Sequence, residues 1–185
     1  MPDLLIGEYE NAPAICRPYD PRTPEVAQRI SAMIQAQALG LSVEHVGSTV
    51  VPGCAGKGVG DLMVPCREGQ LETARNTLGD LGFQHQNTRD PFPEDRPMRV
   101  GSIEHEGDKF RLHVHVIPAD SEEVNELRNF RDLLRFEPEL MRTYVEDKRR
   151  VIEAGKTDSV DYVEAKGAFI VEALRDSEES GYRRG

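Results

Sequence analysis

The apolar residues recur with two periods, and the switches between them divide the chain into elements. Over residues 23–40, Val26, Ile30, Met33, Ile34 and Ala38 fall on one face of a 3.6-residue repeat. Thr23-Pro24-Glu25 precedes them as a cap, a first-turn proline and a helix-favouring acid, and Gly40 follows as a stop. This spacing predicts an amphipathic helix. "LSVEHV" (41–46) and "DLMV" (61–64) read as short strands on either side of a glycine-rich loop. Leu71, Ala74, Leu78 and Leu81 mark a second helix that Gly82 closes. "GFQHQN" predicts a brief strand. "NTRDPFPEDRP", with three prolines and little apolar content, predicts a mobile loop.

"MRVGSIEH" and "KFRLHVHVIP", joined through Glu106-Gly107-Asp108, predict an antiparallel hairpin. From Asp120 the period becomes helical again. Asp120 with Glu123 fits a capping box, and Leu127, Phe130, Leu133 and Leu134 form the apolar stripe behind it. Pro138 opens a further helix, "ELMRTYVEDKRRVIEA", that stops at Gly155. "SVDYVEAKGAFIVEALRD" predicts a last helix, and the polar "SEESGYRRG" a frayed tail. No internal repeat or low-complexity tract interrupts the series. The expected fold is α+β. A small mixed sheet with packed helices occupies residues 1–119, C-terminal helices pack on it over 120–176, and 177–185 is a flexible tail to one compact unit.

At 185 residues the chain fits one domain, and 38% hydrophobic with 30% charged residues fits a globular one. Charge narrows the partners. With 23 basic against 33 acidic residues, the net charge of −10 repels a polyanion. Six phenylalanines, five tyrosines and no tryptophan leave little for a base-stacking platform. The densest basic run, Lys148-Arg149-Arg150, lies among Glu146, Asp147 and Glu153, which cancel it. A small-molecule substrate is therefore expected rather than a nucleic acid. Three cysteines, Cys16, Cys54 and Cys66, are odd in number and far apart, which argues against a disulfide framework or a thiolate zinc site. The start "MPDLLIGEYENAP" lacks a basic region followed by an apolar one, and no apolar run approaches the ~18 residues of a membrane span. The expected location is the cytoplasm.

Candidate chemistry concentrates in "VEHVGSTVVPGCAGKGVGDLMV" (43–64), which holds five glycines. A strand runs into Gly47-Ser48-Thr49. Glycine lets the backbone approach a ligand closely, and a helical turn starting there would aim free N–H groups at an anion. The Ser48 and Thr49 hydroxyls add donors, and Lys57 adds a positive charge. Asp61, at a strand start, can hold a divalent metal that bridges phosphate oxygens. Together these are parts for gripping a metal-bound nucleoside triphosphate. The competing reading is a turn-rich connection with a capping serine.

His113 and His115, two apart on a strand, point to one face, while Leu112, Val114 and Val116 point to the other. Two imidazoles on one face can bind metal, or serve as base and phosphate donor. Arg131, Asp132 and Arg135 have helical spacing. They make either an ion-paired surface or a phosphate-facing arginine.

"EHVGSTVVPGCAGKGVGDLMV" resembles the signature of the GrpB family, whose members look like "EHIGSTAVPGLAAKPIIDI". The resemblance continues through "LHVHV", "LRNFRDLLRFEPELMRTYVEDKRR" and "YVEAKGAFIVEAL". It implies the nucleotidyltransferase fold of the DNA polymerase beta palm, with Gly47 and Ser48 as the phosphate turn and Asp61 as the first carboxylate. Arg131, Lys148, Tyr162 and Lys166 fall in these blocks and are expected to line the site from the C-terminal helices. Some positions depart from the pattern. The wider superfamily carries a second acid two residues after the first, where this chain has Met63. A third carboxylate usually sits on a neighbouring strand, where this chain has His113 and His115. Gly58 and Gly60 replace bulkier residues and loosen the loop. The implied cofactors are a divalent metal (Mg, Mn or Zn) and ATP or another NTP. Imidazole favours Zn, Mn or Ni over Mg.

Three functions remain open at this level. One is an enzyme that transfers a nucleotidyl or phosphoryl group to a small molecule, with Asp61, His113, His115 and Lys57 as its chemical residues. Another is a non-catalytic module that binds a nucleotide or phosphometabolite. The third is a ligase working through an adenylated acid.

Overall fold

The computed structural model describes residues 6–13, 15–155, 169, 171–173 and 175. In chain order the elements are α1 (Thr23–Gln37), β1 (Glu44–Val46), a short 3-10 turn (Ser48–Val50), β2 (Val59–Cys66), α2 (Leu71–Leu81), β3 (Gln84–His85), β4 (Met98–His105), β5 (Asp108–Pro118), α3 (Glu122–Phe136) and α4 (Pro138–Glu153). The strands form one five-stranded sheet in the order β1-β2-β5-β4-β3. β2 and β5 run parallel and the other pairs antiparallel, so the fold is α+β with a mixed sheet.

Alternation along the two central strands decides which face is which. Leu62 and Val64 of β2 and Leu112, Val114 and Val116 of β5 turn to one side. There they pack under Val26, Ile30 and Ile34 of α1 and Ala74, Leu78 and Leu81 of α2. Burying each aliphatic side chain contributes roughly 1.5–3 kcal/mol, so this layer carries most of the cohesion. The residues between them, Asp61, Arg111, His113 and His115, consequently emerge on the opposite face. α3 covers one end of that face, with Val124 and Leu127 packed against Val46, Met63 and Ile117. A third cluster joins the loop after the 3-10 turn to the C-terminal helices: Val50, Val51, Cys54 and Ala55 meet Phe130, Leu134, Tyr144, Val145 and Ala173.

Several boundaries differ from the sequence expectation. The cap of α3 is Ser121 rather than Asp120. Ser121 is the extended residue before the first turn, and its hydroxyl accepts from the Glu123 N–H at 3.3 Å. β2 begins at Val59, so Gly60 lies inside a strand. A Cβ there would stand 3.2 Å from Leu112 Cδ2, which makes Gly60 a close-packing position rather than a loosening one. The proline-rich loop before β4 is anchored at two charged points. Glu94 pairs with Arg75, His85 and the buried Arg99, and Arg96 pairs with Glu123.

The expected last helix and tail fall mostly outside the described residues, as do Tyr162 and Lys166. Among the described residues, no helix is long and apolar enough to cross a membrane.

Candidate functional site

β1 pairs antiparallel with β2, which sets Val46 opposite Asp61 and turns the next residue, Gly47, over the carboxylate. Gly47 has φ of +74°, and a Cβ on it would stand 2.8 Å from Asp61 Oδ2. Glycine is what allows this turn to close. The 3-10 turn follows at Ser48. Thr49 Oγ1 lies 2.9 Å from His45 Nε2. Burial pushes the His45 imidazole down to about 4, partly opposed by Asp61, so His45 is neutral near pH 7.

Parallel pairing of β2 with β5 puts Asp61 in register with His113. Asp61 Oδ1 lies 3.3 Å from His113 Nδ1 and 3.7 Å from His115 Nε2. These three residues offer ligand atoms within 4.8 Å of one another, the one such group found among the described residues. Each histidine has a different group behind it. His113 Nε2 is 2.9 Å from the Tyr9 hydroxyl, and His115 Nδ1 is 3.2 Å from Arg96 Nη1. Burial raises the Tyr9 pKa, with Arg111 working against the rise and Asp61 adding to it. Burial lowers that of His115 against the pull of Asp61.

Met63 follows Asp61 on the same strand face and is 0% exposed, enclosed by Val46, Ile117 and Val124. The place of a second carboxylate is thus part of the apolar seat of α3.

From α4, one charged side chain reaches the loop after the turn. The sequence sets Lys148 in a run whose charges cancel at the surface, but the structure buries it to 4% exposure while Arg149 and Arg150 stay outside. Lys148 Nζ donates to the Ala55 carbonyl at 2.5 Å, and it stands 3.7 Å from Cys54 Sγ and 4.2 Å above the Tyr144 ring. A Cβ on Gly56 would lie 3.1 Å from Ser48 Oγ and 3.2 Å from Lys148 Nζ. The serine hydroxyl and the ammonium therefore flank one spot that glycine keeps open. Beside it, the Tyr144 hydroxyl is buried without a hydrogen-bond partner among the described residues, and burial raises its pKa well above the ordinary value.

The remaining candidates take supporting positions. Lys57 lies on the loop into β2, and its carbonyl accepts from Arg111 Nη2 at 2.9 Å. Arg131 Nε donates to Asp132 at 2.9 Å, and its Nη1 reaches Glu44 at 3.4 Å and the His45 carbonyl at 3.5 Å. Arg135 donates to the Val50 carbonyl at 3.3 Å. Cations of α3 thus clasp β1 and the 3-10 turn from behind. Hydrogen bonds from Arg128 hold the Glu44 carboxyl below its usual range despite partial burial.

Sequence reasoning missed Tyr9, His45 and Arg96 as neighbours of the site. His45 had a signal, since it stands two residues before Gly47 on the strand that enters the turn. Tyr9 had none, because its partner His113 is 104 positions away.

Residues 13–176 match the protein family described as GrpB protein. A UPF0157 protein of Halalkalibacterium halodurans is 26% identical over 182 residues, spanning 95% of this chain and 89% of that protein. A UPF0157 protein of Streptomyces coelicolor is 32% identical over 169 residues, spanning 90% and 86%. The crystal structure of GrpB from Enterococcus faecalis superposes with a TM-score of 0.70 at 22% identity, over 91% of this chain and all, 100%, of that one. Cid1 in complex with its short product ApU matches with a TM-score of 0.50 at 12% identity, over 72% of this chain and 42% of Cid1. Both structural likenesses concern the fold alone.

Proposed function

The chain belongs to the GrpB family and has a nucleotidyltransferase-like fold, and on that premise we propose that it acts on a metal-bound nucleotide, transferring a nucleotidyl or phosphoryl group to a small molecule in the cytoplasm. The observation that carries this reading is Asp61. A Gly-Ser turn closes over it from one side, and His113 and His115 face it from the other. A divalent cation centred on this cluster would take Asp61 and the imidazole side as its protein contacts, leaving positions for phosphate oxygens and water. The donor set fits, since a carboxylate oxygen and an imidazole nitrogen lie within 4.8 Å of one another. When bound, the cation would neutralise phosphate charge and polarise the bond being broken.

The chain supplies the rest. Ser48 and Lys148 would hold phosphate oxygens at the spot beside Gly56, where a low local dielectric strengthens a buried ammonium. Lys57 would add charge from the loop. Arg131 would fix the turn through Glu44 and the His45 carbonyl. Tyr162 and Lys166, expected at the same wall from the family-like blocks, lie outside the described residues. The net charge of −10 supports a small acceptor over a polyanionic one.

One observation favours a second reading, a nucleotide-binding module without chemistry. Met63 is fully enclosed where a second carboxylate would stand, which removes one oxygen ligand for a second metal. A panel of nucleoside triphosphates incubated with Mg²⁺, Mn²⁺ or Zn²⁺ separates the two readings. Nucleotide turnover by the wild type that Asp61→Asn abolishes supports the enzyme. Binding without turnover across the panel supports the module. Neither binding nor turnover overturns both.

A further inference from the structure

His113 and His115 face Asp61 alike, yet the group behind His115 fixes its proton position while the group behind His113 leaves either open. Behind His113 is the Tyr9 hydroxyl, 2.9 Å from Nε2. A hydroxyl can donate or accept. Tyr9 can therefore accept from an Nε2–H, which frees the Nδ1 lone pair, 3.3 Å from Asp61 Oδ1, for a cation. Behind His115 is Arg96, with Nη1 3.2 Å from Nδ1. A guanidinium only donates and keeps its protons. Nδ1 of His115 must then accept, so the proton of the neutral ring stands on Nε2, the nitrogen that looks at Asp61 from 3.7 Å. A doubly protonated ring would set N–H against N–H toward Arg96 and would offer no lone pair either.

Arg96 is not free to withdraw. Its Nε donates to Glu123 Oε2 at 2.9 Å, and its Nη2 donates to the other oxygen of the same carboxylate. Its guanidinium lies 4.1 Å from the centre of the Phe92 ring, which in turn makes a T-shaped contact with His115 at 5.8 Å between centroids. The side chain is 14% exposed. Glu123 sits in the first turn of α3, where the Ser121 cap accepts from its N–H. The path Ser121–Glu123–Arg96–His115 therefore runs from a helix start to the site.

We propose that Arg96 is a positioning residue that locks His115 as an Nε2–H donor, so that His115 presents a proton to the group held at Asp61 while His113 alone presents a lone pair. His115 would then donate to a phosphate oxygen or a bound water beside the cation, and the imidazole ligand would be His113. The ligand part rests on the cation reading given above. The proton position does not, because it follows from Arg96 in the metal-free protein.

The test begins without metal. Long-range ¹H–¹⁵N NMR of the histidine rings reads which nitrogen of His115 is protonated. Wild type and Arg96→Lys, which keeps a donor, should show Nδ1 bare and Nε2 protonated. Arg96→Gln, whose amide can also accept, should shift His115 toward the other tautomer. An Nδ1–H form in the wild type, or no change in Arg96→Gln, overturns the proposal.

Titration with Zn²⁺ alone then tests the ligand part. His113→Ala should weaken binding by about tenfold or more and His115→Ala by much less, while Arg96→Gln should bind more tightly than wild type. Equal losses in the two histidine variants, with Arg96→Gln weakened too, overturn it. Absence of Zn²⁺ binding in every protein refutes the cation reading, and the NMR result still decides the proton position.

Discussion

Gly47 and Asp61 touch across the β1–β2 pair: a Cβ on the glycine would lie 2.8 Å from Asp61 Oδ2, at a backbone φ of +74°. A side chain at residue 47 therefore strains the backbone and displaces the carboxylate together. Gly47→Ala should lower stability by about 1–3 kcal/mol in urea denaturation, the range for a non-glycine residue held at positive φ. It should also weaken divalent-cation binding. Wild-type stability and cation affinity in this variant would mean that the turn and Asp61 move independently.

Lys148 is buried against Tyr144 and the Ala55 carbonyl, facing the spot that Gly56 keeps open. Lys148→Met preserves the apolar stem and removes the charge. Nucleotide affinity should fall by about 10- to 100-fold, the loss of one charge-assisted hydrogen bond, with a smaller change in melting temperature. Unchanged affinity would make Lys148 a staple between α4 and the loop.

His45 is held neutral by burial, with its pKa pushed down to about 4 from an ordinary value of 6.5. Between those values the unfolded chain binds a proton that the folded chain refuses. Its contribution is fully present above pH 6.5, is lost as pH falls toward 4, and is constant below that. The loss amounts to about 3 kcal/mol at most. Urea midpoints at pH 7, 5.5 and 4.5 should converge for wild type and His45→Gln as pH falls. Parallel lines would show that His45 does not drive the acid sensitivity.

Arg131 is held by Asp132, Glu44 and the His45 carbonyl. Arg131→Ala leaves the half-buried Glu44 and the buried Asp132 with one cation fewer. It should cost about 1–3 kcal/mol of stability and weaken nucleotide binding less than Lys148→Met does. An affinity loss larger than that of Lys148→Met, at unchanged stability, would place the guanidinium on the phosphate itself.

Much of this arrangement was legible because strands have only two faces. Once Leu112, Val114 and Val116 were assigned inward, His113 and His115 had to share the outer face. That Asp61 meets them follows from the family resemblance rather than from any local pattern, since it depends on β2 and β5 pairing in parallel register. Charge pattern alone does not show the burial of Lys148, for a geometric reason. Adjacent helical residues diverge by about 100°, so one of three neighbouring cations can turn inward beside Tyr144 and Val145 while the other two stay in water. Arg96 was hidden in a segment whose prolines and low apolar content signalled only a loop. Ion pairs of Glu94 and Arg96, together with the Phe92 ring against Arg96 and His115, fix that loop.

The most direct test of the account is a crystal structure with Mn²⁺ and a non-hydrolysable nucleoside triphosphate. The account predicts an anomalous peak within ligand distance of Asp61 and His113, at about 2.0–2.3 Å, with phosphate oxygens reaching Ser48 Oγ and Lys148 Nζ beside Gly56. Metal absent from Asp61, with the nucleotide bound elsewhere or not at all, would contradict it.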